Sequence, residues 1–405
     1  MRSYSFASIL LLCLVLLLVD ALAFYWLYHL IQPLQAPKFK IFFYTVYWVF
    51  SFGLVISILI LKIRLDSIHP GRKQMLTSSL YGLTVASFIP KIIFSIIFTL
   101  FFFTNNWFFD IKWVWLLPII AVISGIFPFI VIVYAVLKAV YRFKIHRDEV
   151  PILGLPKALK DLKIVHISDL HLGSFNYRYK ILDRAVGIIN GLQPDIICFT
   201  GDLVNNYAWE LKGWDKVLSK LEAKYGKYAV LGNHDYGDYS TWKRPKDKKD
   251  NLTSIHFFYK KIGFKLLLNE SEILTIDNAD IAVIGVENWG KPPFKQYGKL
   301  DKALKNVPAA LPKILLSHDP THWPSEVLNQ TDINLTLAGH THGMQMGFRY
   351  KSKKWSPIKY KYKHWAGLYK EGCQYLYVTR GLGWLGFPGR VGMRPEITLL
   401  NLKRK

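Results

Sequence analysis

The sequence predicts an α/β protein in two parts, an N-terminal four-helix transmembrane region followed by a layered α/β domain. Three observations carry this expectation. Four long apolar stretches precede residue 140, six short apolar runs alternate with amphipathic stretches beyond residue 160, and five of those runs end in polar clusters of Asp, His, Asn and Gly. The 405 residues exceed what one ordinary domain needs. A hydrophobic content of 51% and an aromatic content of 15% coexist with a net charge of +24 because apolar and basic residues are segregated along the chain. The basic excess beside a membrane points to anionic partners, namely lipid headgroups and a phosphorylated substrate. Cys13, Cys198 and Cys373 are too few and too far apart for a disulfide framework or a thiolate metal site.

The apolar stretches are residues 7–31, with Asp20 as their one charge, 41–61, 81–103 with Pro90 and Lys91, and 113–137. Each exceeds the roughly 20 residues needed to cross a bilayer core of about 30 Å. The first has a second reading: Arg2, the run Ile9–Val19 and Ala21-Leu22-Ala23 also fit a cleaved signal peptide, but the apolar character continues through Phe24–Ile31 and favours a retained helix. Lys62, Arg64, Arg72 and Lys73 follow the second stretch, and Lys138, Arg142, Lys144 and Arg147 follow the fourth. Lys112 stands alone after the third, and Lys38 and Lys40 after the first are discordant. The positive-inside bias therefore places the N-terminus and everything beyond residue 140 in the cytoplasm, on a multi-pass protein of the inner (plasma) membrane. Asp20 and Lys91 are isolated intramembrane charges, and the reading favours an anchor over a channel.

After a basic linker at 141–159, the α/β domain is expected over 160–405. Its apolar runs are Lys163–Ser168, Asp195–Thr200, Lys227–Leu231, Ile281–Val286, Lys313–Ser317 and Ile333–Ala338. The clusters that follow are Asp169-Leu170-His171, Gly201-Asp202, Gly232-Asn233-His234-Asp235, His318-Asp319 and Gly339-His340-Thr341-His342. Ligand sites in open α/β sheets form beyond the carboxyl ends of strands, so these clusters should converge on one rim. Any one of them alone reads as a surface pair or a turn. Together they offer carboxylate, amide and imidazole donors without thiolate, a set that suits Mn, Fe, Zn or a similar divalent ion.

The segments HISDLHLG (166–173), GDLVN (201–205), GNHDY (232–236), LSHDP (316–320) and AGHTHGMQ (338–345) resemble, in order and spacing, the signatures of the calcineurin-like metallophosphoesterases. The resemblance covers roughly residues 160–402. The segment 379–400 is similar to the membrane-associated branch of YaeI- and YkuE-like phosphodiesterases, with Met344 standing where that branch commonly has glycine. The resemblance implies two mixed sheets packed face to face in a four-layer α-β-β-α sandwich. It also implies two divalent metal ions, one held by Asp169, His171, Asp202 and His342, the other by Asp202, Asn233, His318 and His340. A solvent hydroxide shared by the two ions would then attack phosphorus. His234 is implied as proton donor to the leaving oxygen, with Asp235 placed either to orient its imidazole or to cap a turn.

Arg380, Arg390 and Arg394 are candidates to hold a substrate phosphate. His166 reads as a core residue, while His256, His322 and His364 carry no motif. Basic segments with Trp and Tyr follow two clusters, at 242–250 and 351–364, and suit a membrane surface or a single nucleic-acid strand. Confinement to a membrane favours a lipid-linked phosphodiester or pyrophosphate, and the family suggests diacylated nucleotide-sugar intermediates as one candidate. The alternatives are a nuclease or cyclic-nucleotide phosphodiesterase, or a catalytically silent membrane sensor. The complete ligand set argues against a sensor. The expected partners are a lipid bilayer and an anionic phosphorylated substrate rather than nucleic acid, and no protein partner follows from the sequence.

Overall fold

The computed structural model describes residues 5–65, 67–108, 116–176, 178–350 and 353–405. Two compact units divide the chain, residues 139–385 with 390–405 in one, and the residues up to 138 with 386–389 in the other.

The second unit is built on helices α1 (Phe6–Ile31), α2 (Pro37–Arg64), α3 (Pro70–Phe108) and α4 (Leu116–Leu137). All four are long and apolar enough to cross a membrane. Ser5 caps α1 through the Ser8 amide, and Pro37 opens α2, where a missing N–H costs nothing. Helix α3 begins eleven residues before the apolar stretch read from sequence, because the polar segment 70–80 is compatible with helix although not with hydrocarbon. Residues 113–115 of the fourth expected stretch lie outside the described residues. Ala23, Trp26, Phe94 and Phe98 form a buried cluster, and the Trp26 indole donates to Thr99 at 2.9 Å. The two charges that the sequence shows as isolated form an ion pair. Lys91 Nζ lies 2.6 Å from Asp20 and 3.3 Å from Ser51 Oγ, joining α1, α2 and α3 through a satisfied polar contact.

In the first unit, strands β1 (Lys144–Ile152), β2 (Lys163–Ile167), β3 (Ile196–Phe199), β4 (Gly226–Ala229) and β5 (Lys265–Leu266) belong to one sheet. Strands β6 (Glu270–Ile276), β7 (Ala279–Gly285), β8 (Lys313–Leu316) and β9 (Leu335–Ala338) belong to another. A hairpin, β10 (Phe348–Tyr350) and β11 (Lys353–Trp355), precedes β12 (Gly367–Glu371), β13 (Gln374–Val378) and β14 (Glu396–Arg404). The six-stranded sheets run β1-β14-β2-β3-β4-β5 and β12-β13-β9-β8-β7-β6. Ile164, Ile196, Val283, Ile314, Leu335 and Tyr377 share the buried layer between them. Helices α5 (Tyr179–Gly191), α6 (Asp215–Leu218) and α7 (Pro245–Lys261) cover the outer face of the first sheet, and α8 (Leu300–Leu304) that of the second. Strands β3, β8 and β9 are buried along their whole length, which is why they read as continuous apolar runs.

One expectation fails here. Residues 144–152 are not linker but strand β1, paired in parallel with β14 and burying Val150 and Ile152. Its alternation of Lys, His, Arg, Asp and Glu with apolar residues gives an edge strand the look of a charged connector.

Candidate metal centre

The expected ligands stand immediately beyond strand ends, and the backbone there is strained. Asp169 (φ 55°), His171 (φ 47°), Asp202 (φ 58°), His340 (φ 68°) and His342 (φ 50°) all occupy the left-handed region. Non-glycine residues seldom adopt it, and such strain gathers at functional sites. Close approach accounts for the adjacent glycine at 339, where a Cβ would collide with the Asp169 carboxylate and the Ser168 hydroxyl.

Two donor groups result. Asp169, His171 and His342 form one, and Asp202, His318 and His340 the other, with donor atoms inside each group within 4.8 Å. His171 Nε2 lies 3.1 Å from His342 Nε2, which is 3.3 Å from Asp169 Oδ1. His340 Nδ1 lies 2.8 Å from Asn233 Oδ1 and 3.3 Å from His318 Nε2. The two groups share one atom: Asp202 Oδ2 is 3.5 Å from His171 Nε2 and 3.2 Å from His318 Nε2. All seven expected ligands are thereby brought together.

Burial lowers the His171 imidazole to about 3 and the His340 imidazole to about 4, so both are neutral with a lone pair to offer. Burial also pulls down on His318, but the charge of Asp202 and a hydrogen bond to it raise that ring to about 10. Burial, with Asp202 adding to it, lifts Asp169 to about 7. His318 Nδ1–H donates to the Thr200 carbonyl at 2.6 Å, which aims Nε2 inward. Imidazole nitrogens crowded around buried carboxylates fit two divalent cations, and an oxygen and imidazole donor set fits borderline metals.

Other expected residues take different places. His234 Nδ1 donates to the Asn205 carbonyl at 2.8 Å, and Nε2 makes no hydrogen bond among the described residues. Asp235 does not orient that imidazole. Its carboxylate accepts from the amides of Asp202 (3.0 Å), Leu203 (2.9 Å), Val204 (3.2 Å) and Gly232 (2.9 Å), so it shapes the loop that carries Asp202. The three arginines are engaged within the protein rather than free to clamp a phosphate. Arg380 pairs with buried Glu396. Arg390 is fully buried and donates to the carbonyls of Gly383 (3.1 Å), Met393 (3.2 Å) and Arg380 (2.8 Å). Arg394 donates to the carbonyls of Arg142 and Phe143, both at 2.9 Å. Neither burial nor a carbonyl cage is visible in a sequence, where an arginine shows only its charge. His166 bonds Thr200 Oγ1 at 2.8 Å in the core.

Tyr362, Asp319 and Tyr239 complete the surroundings; the sequence marks Asp319 as part of the His318-Asp319 cluster without a role, and does not mark the two tyrosines as site residues. The Tyr362 hydroxyl lies 2.9 Å from His340 Nε2. With Nε2–H donating to it, Nδ1 keeps its lone pair for the centre. Asp319 Oδ2 is buried without a hydrogen bond, 3.6 Å from the same nitrogen. Asn233 Nδ2 donates to Tyr239 at 2.9 Å, which turns its amide oxygen inward. The signal for Tyr362 is a tyrosine inside a basic and aromatic segment read as a surface rather than as part of the centre. Tyr362→Phe is expected to weaken the ion held by Asp202, Asn233, His318 and His340 by about tenfold to a hundredfold. Titration calorimetry with manganese on the full chain, showing one weakened and one unchanged site, checks it.

A family model described as "Calcineurin-like phosphoesterase" matches residues 162–344. The metallophosphoesterase YkuE of Bacillus subtilis is 31% identical over 255 residues, covering 62% of this chain and 82% of that protein. This chain belongs to the calcineurin-like metallophosphoesterase family. A transmembrane protein with metallophosphoesterase domain from Danio rerio is 30% identical over 290 residues, 70% of this chain and 62% of its own length. Its Bos taurus counterpart is 32% identical, over 56% of its length, so the chain spans less than two thirds of these two relatives. The phosphodiesterase YaeI of Escherichia coli is 29% identical over 59% of this chain and 82% of its own.

Proposed function

We propose that this metallophosphoesterase is a membrane-held hydrolase of a phosphodiester or pyrophosphate bond, acting on a lipid-linked substrate at the cytoplasmic face of the plasma membrane. The observation that carries the reading is Asp202 Oδ2, which stands between the two donor groups at 3.5 and 3.2 Å. Asp169, His171, Asp202, Asn233, His318, His340 and His342 would hold two divalent ions, which when bound would supply Lewis-acid stabilisation of the phosphoryl oxygens and acidify water. The protein's own part is positional. Asp235 fixes the Asp202 loop, Thr200 and Tyr362 fix two imidazole tautomers, and Asn205 holds His234 Nδ1–H. In its protonated form His234 can then release the Nε2 proton to the leaving oxygen as the phosphorus–oxygen bond breaks. Membrane placement is supported by the four apolar helices and by relatives named as transmembrane proteins. Hydrolysis of bis(p-nitrophenyl) phosphate against its monoester, by the metal-stripped full chain supplied with manganese, tests the reading. A metal-dependent preference for the diester is the expected result, and no turnover with two ions bound would sink it.

His234→Asn is expected to lower kcat about a hundredfold to ten-thousandfold with both metal equivalents retained. Loss of metal together with activity would instead make His234 a structural residue.

A further inference from the structure

We propose that the exposed side chains of Met344, Met346, Phe348, Tyr350 and Tyr360, on and beside the paired strands β10 and β11, form a docking surface for an anionic lipid interface. In the metallophosphoesterase unit, the exposed large apolar side chains among the described residues are Leu153, Phe257, Ile273, Met344, Met346, Phe348, Tyr350 and Tyr360. The first three are scattered, whereas the last five fall within one short segment that begins two residues after the ligand His342. Met344 (54% exposed), Met346 (44%), Phe348 (57%) and Tyr350 (68%) recur at every second position, and Tyr360 is 78% exposed. Water-exposed apolar side chains gathered in this way mark an interaction site.

The hairpin is held rather than loose. Phe348 faces Trp355 across the strands with rings stacked at 5.6 Å, and Met346 bridges to Val391. Met344 keeps a left-handed backbone (φ 53°), a conformation that a non-glycine residue adopts at a cost, and in it the side chain stands out in water. Charge selects the partner. The sequence between Asp332 and Glu371 has no Asp or Glu, while Lys353, Lys359 and Lys361 are exposed. Lys354 is excluded, since its ammonium is bound to Ala366 and Tyr369. Apolar and aromatic side chains among exposed lysines match a membrane interface bearing anionic headgroups. The same chain carries helices long and apolar enough to keep it at a bilayer, which favours lipid over nucleic acid or a soluble protein. The surface leads along the chain to His342 and His340, so docking would place lipid-borne phosphates beside the centre. Only that last step rests on the lipid-linked substrate proposed above.

The experiment uses the full chain in lipid nanodiscs containing phosphatidylglycerol, with no substrate present. Cys373 is the exposed cysteine and is changed to serine, and an environment-sensitive fluorophore is placed through Phe348→Cys or, independently, Tyr350→Cys. Phe257→Cys, at an exposed position on α7, serves as reference. Doxyl-labelled lipid is expected to quench the label at 348 or 350 several-fold more than at 257. Lys353→Gln and Lys359→Gln are each expected to shift the docked-to-free ratio about fivefold toward free. Equal quenching at the three positions overturns the proposal. So does a label blind to lipid that responds to a single-stranded oligonucleotide or to a soluble protein. Quenching as expected, with no hydrolysis of lipid phosphodiesters, upholds docking and fails the substrate reading instead.

Discussion

Asp202→Ala is expected to abolish metal-dependent phosphodiester hydrolysis and to reduce the bound metal from two ions per chain to at most one. Asp202 is the residue whose carboxylate oxygen serves both donor groups, so its loss opens each of them. Its other oxygen accepts the His234 amide at 2.9 Å, so the proposed proton donor is loosened as well. Losing the Lewis-acid pair removes several kcal/mol of transition-state stabilisation, a rate loss of about a thousandfold or more. Asp202→Asn keeps the shape and discards the charge, and it separates ligation from packing. Elemental analysis beside turnover of bis(p-nitrophenyl) phosphate makes the measurement. Two retained ions with an unchanged rate would remove Asp202 from the centre.

Glu396→Ala should produce the largest loss of stability. Glu396 opens β14, is fully buried, and receives the Arg380 guanidinium, the Tyr377 hydroxyl at 2.7 Å and the Thr398 hydroxyl at 2.8 Å. Removing it leaves Arg380 buried without a counter-charge, which costs about 3–5 kcal/mol. A pH dependence follows. Burial opposes ionisation of Glu396, but Arg380 and the hydroxyl donor Tyr377 more than offset it and hold the carboxyl at about 2, below its ordinary 4.5. A depressed carboxyl stabilises the fold fully above 4.5 and loses that contribution as pH falls toward about 2. The gap in melting temperature between the natural chain and Glu396→Gln should therefore be constant near neutrality and narrow below 4.5. A gap independent of pH would show that the pair contributes nothing through charge.

The strands that lead to the ligands were legible because they are buried on both faces and therefore apolar without interruption, as β3, β8 and β9 are. The edge strands β1 and β12 were not, since lysines, acids and a tyrosine alternate through them as through a loop. The ligands were legible because each cluster closes a strand, so position and chemistry agreed. What surrounds them depends on returns of the chain that spacing does not encode. Tyr362 comes back to His340 across 22 residues, and Asp235 closes on amides 31 to 33 residues before it. The arginines show the same limit in reverse: Arg390 looked free in the sequence and is caged by carbonyls in the fold.

Strand β14 lies between β1 and β2, pairing in parallel with the one and antiparallel with the other. During synthesis β1 leaves the ribosome some 250 residues before its neighbour exists, counting from Ile152 to Arg404. The first sheet therefore cannot close until residue 404 has been translated. The four apolar helices, by contrast, are complete before the first strand appears. Domains generally fold as units, so the phosphoesterase matures late, on a chain whose helical segments are already available for insertion. Nonsense mutations a few codons before residue 396 would thus yield a membrane-inserted, unfinished sheet, a species for quality-control proteases rather than a weakened enzyme.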